Sequence, residues 1–162
     1  INISVATISN PEFPDELERI IRENELQASC VEIEITEYCL AESADVIISN
    51  IRRLRDMSVK VALDDFGTGY TSLSYLANMP INLLKIDKTL VDNIVSDKKN
   101  YDFISAIIAM GHLMGCEVIS EGVESEEQID MLKSKECDYI QGFAWGRPLT
   151  FDDAAEIVKQ LR

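Results

Sequence analysis

Val59-Lys60-Val61-Ala62-Leu63-Asp64-Asp65-Phe66-Gly67-Thr68-Gly69-Tyr70 joins a short apolar run to two adjacent carboxylates and then to a turn containing two glycines. The run has the length and composition of a buried strand. Neighbouring negative charges at the end of such a strand repel each other and resist desolvation, so they persist most easily where a cation sits between or beside them. A divalent metal is the obvious candidate. Taken alone, an Asp-Asp pair before a glycine turn reads equally well as a solvated loop whose side chains cap the next helix, and the rest of the chain has to decide.

The same punctuation recurs. Ile1 to Val5, Val31 to Ile35, Val59 to Leu63, Leu83 to Asp87, Glu117 to Ser120 and Asp138 to Gln141 read as strands. Between them lie helical patterns. Glu12 to Asn24 sets Leu17, Ile20 and Ile21 on one face, and Ala44 to Met57 does the same with Ile47, Ile51 and Leu54. Tyr101 to Met114, Glu126 to Lys133 and Phe151 to Leu161 complete the set, with Ser125 placed to cap its helix and Asp102 in the first turn of its own. This alternation predicts an α/β fold of parallel strands covered by helices. No linker-like boundary or low-complexity tract divides the chain, which reads as one domain over 1–162.

Each strand carries a polar residue in or just after its run: Asn2 in the first, then, towards the C-terminal ends, Glu34, Asp64 with Asp65, Lys85, Glu121 and Gln141. A (β/α) barrel or an open parallel sheet converges such side chains on one mouth. For a single member, such as Glu34 alternating with Glu32, an exposed strand face is the simpler account; agreement along the whole chain favours a common site. The acidic and amide oxygens suit a hard cation such as Mg²⁺ or Mn²⁺ better than zinc or copper. Lys85 is then the one cationic side chain of the constellation.

Composition narrows the function classes. The chain has 162 residues, 46% of them hydrophobic, enough for a real core. Its formal charge of −14 argues against nonspecific binding to DNA, RNA or an anionic membrane surface. No apolar run approaches the ~20 residues of a membrane span, and Ile1-Asn2-Ile3-Ser4 is neither a basic leader nor a signal core. Cys30, Cys39, Cys116 and Cys137 have no metal-ligand spacing and read as reduced thiols. His112, the lone histidine, reads as a packing or surface residue.

With these residues in view, the chain resembles the EAL-domain phosphodiesterases that hydrolyse the bacterial second messenger cyclic di-GMP. The resemblance rests on Asn2-Ile3-Ser4, Glu34-Ile35-Thr36-Glu37, the run from Asp64 to Leu76, Leu84-Lys85-Ile86-Asp87, Glu121-Gly122-Val123-Glu124 and Gln141-Gly142-Phe143 with Gly146-Arg147-Pro148. It implies a (βα)8 TIM-type barrel with an antiparallel first strand and two divalent cations, Mg²⁺ or Mn²⁺, at the mouth. It further implies that Asn2, Glu34, Asp64, Asp65 and Glu121 are metal ligands, with Asp64 bridging both ions. Lys85 would orient the attacking water, and Gln141 would support metal-bound water. Glu37 and Glu124 would stand behind the ligands or anchor loops, and the loop from Phe66 to Tyr70 would hold the second metal site and take part in dimer contacts.

Two metals roughly 3.5 to 4 Å apart stabilise in-line displacement at phosphorus without a nucleophilic side chain, and the implied product is linear pGpG. The family's Glu-Ala-Leu segment is not in this sequence. The expectation is therefore a partial EAL domain of about six βα units lacking the first two strands and their helices, with low activity by itself. Association through the open side of the barrel or as a homodimer and a cytoplasmic location are also expected. A non-catalytic cyclic di-GMP-binding or protein-interaction module is the alternative; a metal-dependent barrel acting on another phosphoester is a third.

Overall fold

The α-to-β alternation is realised as a parallel sheet with helices packed along it. The computed structural model describes residues 1–37, 39, 44–68, 76 and 78–160. Five strands, β1 (Glu32–Thr36), β2 (Lys60–Phe66), β3 (Leu83–Ile86), β4 (Glu117–Ser120) and β5 (Tyr139–Ile140), lie side by side in chain order, every neighbouring pair parallel. Among the described residues the helices are α1 (Val5–Ile8), α2 (Phe13–Glu23), α3 (Ala44–Asp56), α4 (Lys88–Val91), α5 (Lys98–Leu113), α6 (Glu126–Lys133) and α7 (Phe151–Gln160), with a 3₁₀ turn at Ala28–Cys30. This is the α/β architecture of a TIM-type barrel, here an open array of five strands.

Alternation along the strands separates two faces. In β1, Ile33 and Ile35 are fully buried under the helices while Glu32, Glu34 and Thr36 on the other face are half-buried. Val61, Leu63, Leu84 and Val118 continue the helix-facing layer, and Gly111 of α5 lets that helix approach: a Cβ there would come within 2.5 Å of a Val118 methyl. Ile47, Ile51 and Leu54 of α3 are all fully buried, as their spacing predicts. In α2 the buried residues are Phe13, Pro14, Leu17 and Ile21, and Ile20 turns outward. The face repeats every fourth residue from Phe13, which carries Ile20 past its edge.

Other expectations change at the ends of elements. Ile1 to Val5 is not a strand: Asn2 makes a single parallel bridge with Glu34, after which Ser4 caps α1 by accepting from the Thr7 N–H at 3.2 Å. Among the described residues five strands stand where six were expected. Asp102 is not in the first turn of its helix, because α5 starts earlier, at Lys98, capped by Asp97. Gln141 lies just beyond β5. Ser125 does cap α6, in a reciprocal capping box with Gln128. The buried Asn50 of α3, unremarked in the sequence, donates to the Ile8 and Asn10 carbonyls at 2.8 Å each and so ties the end of α1 to the core.

Beyond β5 the surface is apolar. Phe143, Trp145, Leu149, Phe151 and Val158 are all exposed, Trp145 and Phe151 by more than four-fifths. β5 itself has β4 as its neighbour on one side.

Candidate active site

The C-terminal ends of β1 to β4 bring four carboxylates and one ammonium together. Lys85, on the non-helical face of β3 and 6% exposed, reaches Glu121 Oε1 at 2.8 Å, Asp64 Oδ1 at 2.9 Å and Glu34 Oε1 at 3.3 Å. An ammonium has three N–H donors, and here three carboxylates lie within 3.3 Å of it. Burial works against the lysine's charge, but the hydrogen bonds it donates to Glu121 and Asp64 outweigh it and hold its pKa above the ordinary range.

Asp65 should point away from Asp64, since consecutive strand residues face opposite sides. An irregularity in the sheet removes that conflict. Leu63 pairs with Leu84 and Phe66 with Ile86, so β2 fits one residue more than β3 between the two pairs, and Asp65 sits in that bulge with φ +55°. A left-handed backbone costs a non-glycine residue roughly 1 to 2 kcal/mol, and bulges recur where a side chain must be re-aimed. The result is that Asp64, Asp65 and Glu121 each offer an oxygen within 4.8 Å of the others. Burial, then the charges of Asp64 and Asp87, push the Asp65 pKa up, against a smaller opposing pull from Lys85.

This donor set fits a hard divalent cation. All its atoms are oxygens, the carboxylates converge on one point, and Asp65 carries repulsion that a metal charge would relieve. Asn2 lies one position outward, its backbone bridged to Glu34. Glu37 is buried and its Oε2 accepts from the Gly67 N–H at 3.2 Å, while Gly69 and Tyr70 of the same loop lie outside the described residues. Gln141 is bound through its backbone, donating to the Ser120 carbonyl at 2.9 Å and accepting from Val123 N–H at 3.0 Å; its side chain is exposed.

Two residues at the rim add to the site: Asp87, quoted in the Leu84-Lys85-Ile86-Asp87 motif but given no role there, and Lys88, which escaped the sequence reading. Asp87 caps α4 and adds its charge to Asp65, and Lys88 pairs with Glu124 at 2.9 Å and with Asp92. Both directly follow Leu84-Lys85-Ile86, so position was the available signal. Away from the mouth, His112 Nε2 meets Asp138 Oδ2 at 2.8 Å, and no cysteine is in a disulfide.

The arrangement of a charged mouth over a parallel sheet has clear relatives. The EAL domain family model matches residues 1–148. The chain belongs to the EAL-domain family. It is 32% identical over its full length to the cyclic di-GMP phosphodiesterase NbdA of Pseudomonas aeruginosa, covering 21% of that protein, and 32% identical over 92% of its length to the cyclic di-GMP phosphodiesterase PdeR of Escherichia coli, covering 22%. The chain thus spans about a fifth of the curated relatives it matches. Among solved structures, the MucR phosphodiesterase in complex with c-di-GMP superposes with TM-score 0.87 at 32% identity, over 94% of this chain and 62% of that one. The EAL domain of Mycobacterium smegmatis DcpA gives 0.92 at 30%, over 99% and 72%. A manganese and cyclic di-GMP complex of Klebsiella pneumoniae BlrP1 gives 0.83 at 29%, over 91% and 38%.

Proposed function

We propose that this EAL domain serves a phosphodiesterase that opens one phosphodiester of cyclic di-GMP to give linear pGpG. The observation that carries the reading is the convergence of Glu34, Asp64 and Glu121 on Lys85, with Asp65 turned into the same site by the bulge. Two divalent cations, Mg²⁺ or Mn²⁺, supply when bound an activated water and positive charge for the in-line displacement. Asp64, Asp65, Glu121, Glu34 and Asn2 would hold them. Relatives with phosphodiesterase names and a neighbour solved with manganese and cyclic di-GMP support this assignment.

Within it, Lys85 supplies a positive charge at the centre of the site. Its position within 3.3 Å of Asp64, Glu121 and Glu34 lets it orient ligand oxygens and offset negative charge that builds at the reacting phosphate. Glu37 steadies the turn after Asp65 through the Gly67 amide. Gln141 stands beside the Glu121 loop, and Glu124 holds that loop's far end.

The same proposal includes a cytoplasmic location and self-association along the open edge at β5, where exposed apolar side chains follow the strand. No helix among the described residues is long and apolar enough to cross a membrane. Light scattering after size exclusion at several concentrations tests the association, and a monomer throughout removes it. The activity is tested by incubating the protein with cyclic di-GMP and Mg²⁺ or Mn²⁺ and following pGpG by chromatography. Turnover abolished by chelation is the expected result; binding without turnover marks a nucleotide receptor, and neither rejects the assignment.

A further inference from the structure

We infer that Lys88 is a positioning residue for Glu121, acting as a clasp that fixes the loop from Glu121 to Ser125 over the metal-binding mouth. This rests on the proposed function above, and the loop is where a ligand leaves regular structure. Glu121 follows the end of β4; its amide donates to the Ile86 carbonyl at 3.0 Å, and its side chain reaches Lys85. Gly122 comes next, with φ +65°. The aliphatic stem of Lys88 lies directly across it: a Cβ on Gly122 would stand 2.3 Å from Lys88 Cγ and 2.6 Å from both Cβ and Cδ. Past Gly122 the Lys88 ammonium takes Glu124 at 2.9 Å while Asp92, one turn along its own helix, holds it from behind.

The loop is therefore pinned on both sides of Val123, itself fully buried. A second clasp shares the task. Gln128, 7% exposed, accepts from the Glu124 and Ser125 amides at 2.7 and 3.1 Å and donates to the Val91 carbonyl of α4 at 3.2 Å. Gln128 binds loop backbone and would keep the loop folded without Lys88. What Lys88 adds is lateral position: its ion pairs with Glu124 and Asp92 hold the stem across Gly122 and so limit how far Gly122, and with it the adjoining Glu121 carboxylate, can move from Lys85 and Asp64. An exposed ion pair contributes little to folding stability, but groups that orient a ligand change metal affinity by about 10 to 100-fold.

The test is Mn²⁺ binding, read by calorimetry or by the loss of the free-ion EPR signal, on wild-type protein, Lys88→Met, Lys88→Arg and Glu124→Gln. Lys88→Met and Glu124→Gln should each weaken Mn²⁺ binding about tenfold while the thermal midpoint without metal stays near wild type; Lys88→Arg should restore most of the affinity. In turnover, the loss should shrink as Mn²⁺ is raised, leaving KM for cyclic di-GMP unchanged. Wild-type Mn²⁺ affinity in Lys88→Met overturns the inference, and if that variant fails to fold, wild-type affinity in Glu124→Gln does so. A wild-type protein that binds Mn²⁺ but does not cleave cyclic di-GMP defeats the proposed function alone, because the binding comparison still decides the role of Lys88.

Discussion

Asp65 and Asp138 sit at opposite ends of one sheet, and their carboxyl groups are shifted in opposite directions. At the mouth, burial and the charges of Asp64 and Asp87 raise Asp65 from its ordinary 3.8. At the foot, burial opposes ionisation of Asp138 too, but the His112 ring and the Val118 amide, each at 2.8 Å, overcome it and lower the pKa. Company decides the sign: carboxylates surround one, donors surround the other. The foot satisfies its polar groups within the chain, and the mouth leaves negative charge that Lys85 only partly offsets. Catalytic sites of barrels lie at the C-terminal ends of strands, and the cluster of three carboxylates close enough to share a cation, Asp64, Asp65 and Glu121, lies at that end.

The largest effect should come from the centre of the imbalance. Asp64→Asn keeps shape and removes the charge shared between Lys85 and the cluster. If the mouth is a two-metal site, pGpG formation should fall about 10³-fold or more, equivalent to about 4 kcal/mol in the barrier, with folding retained by circular dichroism. Near-wild-type turnover would remove Asp64 from the bridging role.

Lys85→Met asks what the ammonium does for the fold. It leaves Glu34, Asp64 and Glu121 facing one another with side chains 13 to 20% exposed. Losing one partner of a buried ionic group costs about 3 kcal/mol or more. Urea melts without metal should show that loss, and Mn²⁺ at about 100 times its dissociation constant should return about 2.7 kcal/mol. A variant as stable as wild type without metal would mean the carboxylates relax apart, and that the mouth is less constrained than its geometry indicates.

The pH dependence separates the two ends by sign. For Asp65 the folded-state pKa is raised, so its contribution favours the fold below 3.8 and is lost as pH rises through the folded value. For Asp138 the folded-state pKa is lowered, so its contribution is present above 3.8 and is lost as pH falls through the folded value. Removing His112 with His112→Ala should therefore cost stability near neutrality, by less than about 1 kcal/mol at this half-exposed site, and the cost should fade in acid. Asp65→Asn should do the reverse, raising the stability of the metal-free protein as pH increases. Parallel pH profiles for the two variants would break the comparison.

The mouth was more legible in the sequence than the foot for a physical reason. Charged residues at the ends of apolar strands stand out against their surroundings, so Glu34, Asp64, Asp65, Lys85 and Glu121, each ambiguous alone, could be picked out by their agreement along the chain. The bulge that unites Asp64 with Asp65 could not, because it depends on register between β2 and β3, a property of two strands together. Asn2 was placed in a strand that is a single bridge, since Ser4 prefers to cap a helix. His112 showed no partner in sequence because Asp138 is 26 residues away.

The turns at the foot were hidden for a further reason, and they supply the smallest test. After α2, α3, α5 and α6 the chain reverses into the next segment through the same pattern: Leu26, Val59, Cys116 and Cys137 donate to the carbonyls of Ile21, Leu54, Gly111 and Leu132 at 2.9 to 3.2 Å. This is a Schellman turn, which needs a left-handed residue just before the donor and usually announces itself by glycine. Only Gly115 does so here; Glu25, Ser58 and Glu136 take positive φ without it. Ser58→Gly should relieve that backbone cost and stabilise the protein by about 0.5 to 1 kcal/mol, seen as a higher urea midpoint with unchanged slope. Because Ser58 precedes β2 at the end remote from Asp64, turnover per folded molecule should not change. If activity moved with stability, the foot would be coupled to the mouth through β2, and the division between the two ends of the sheet would fail.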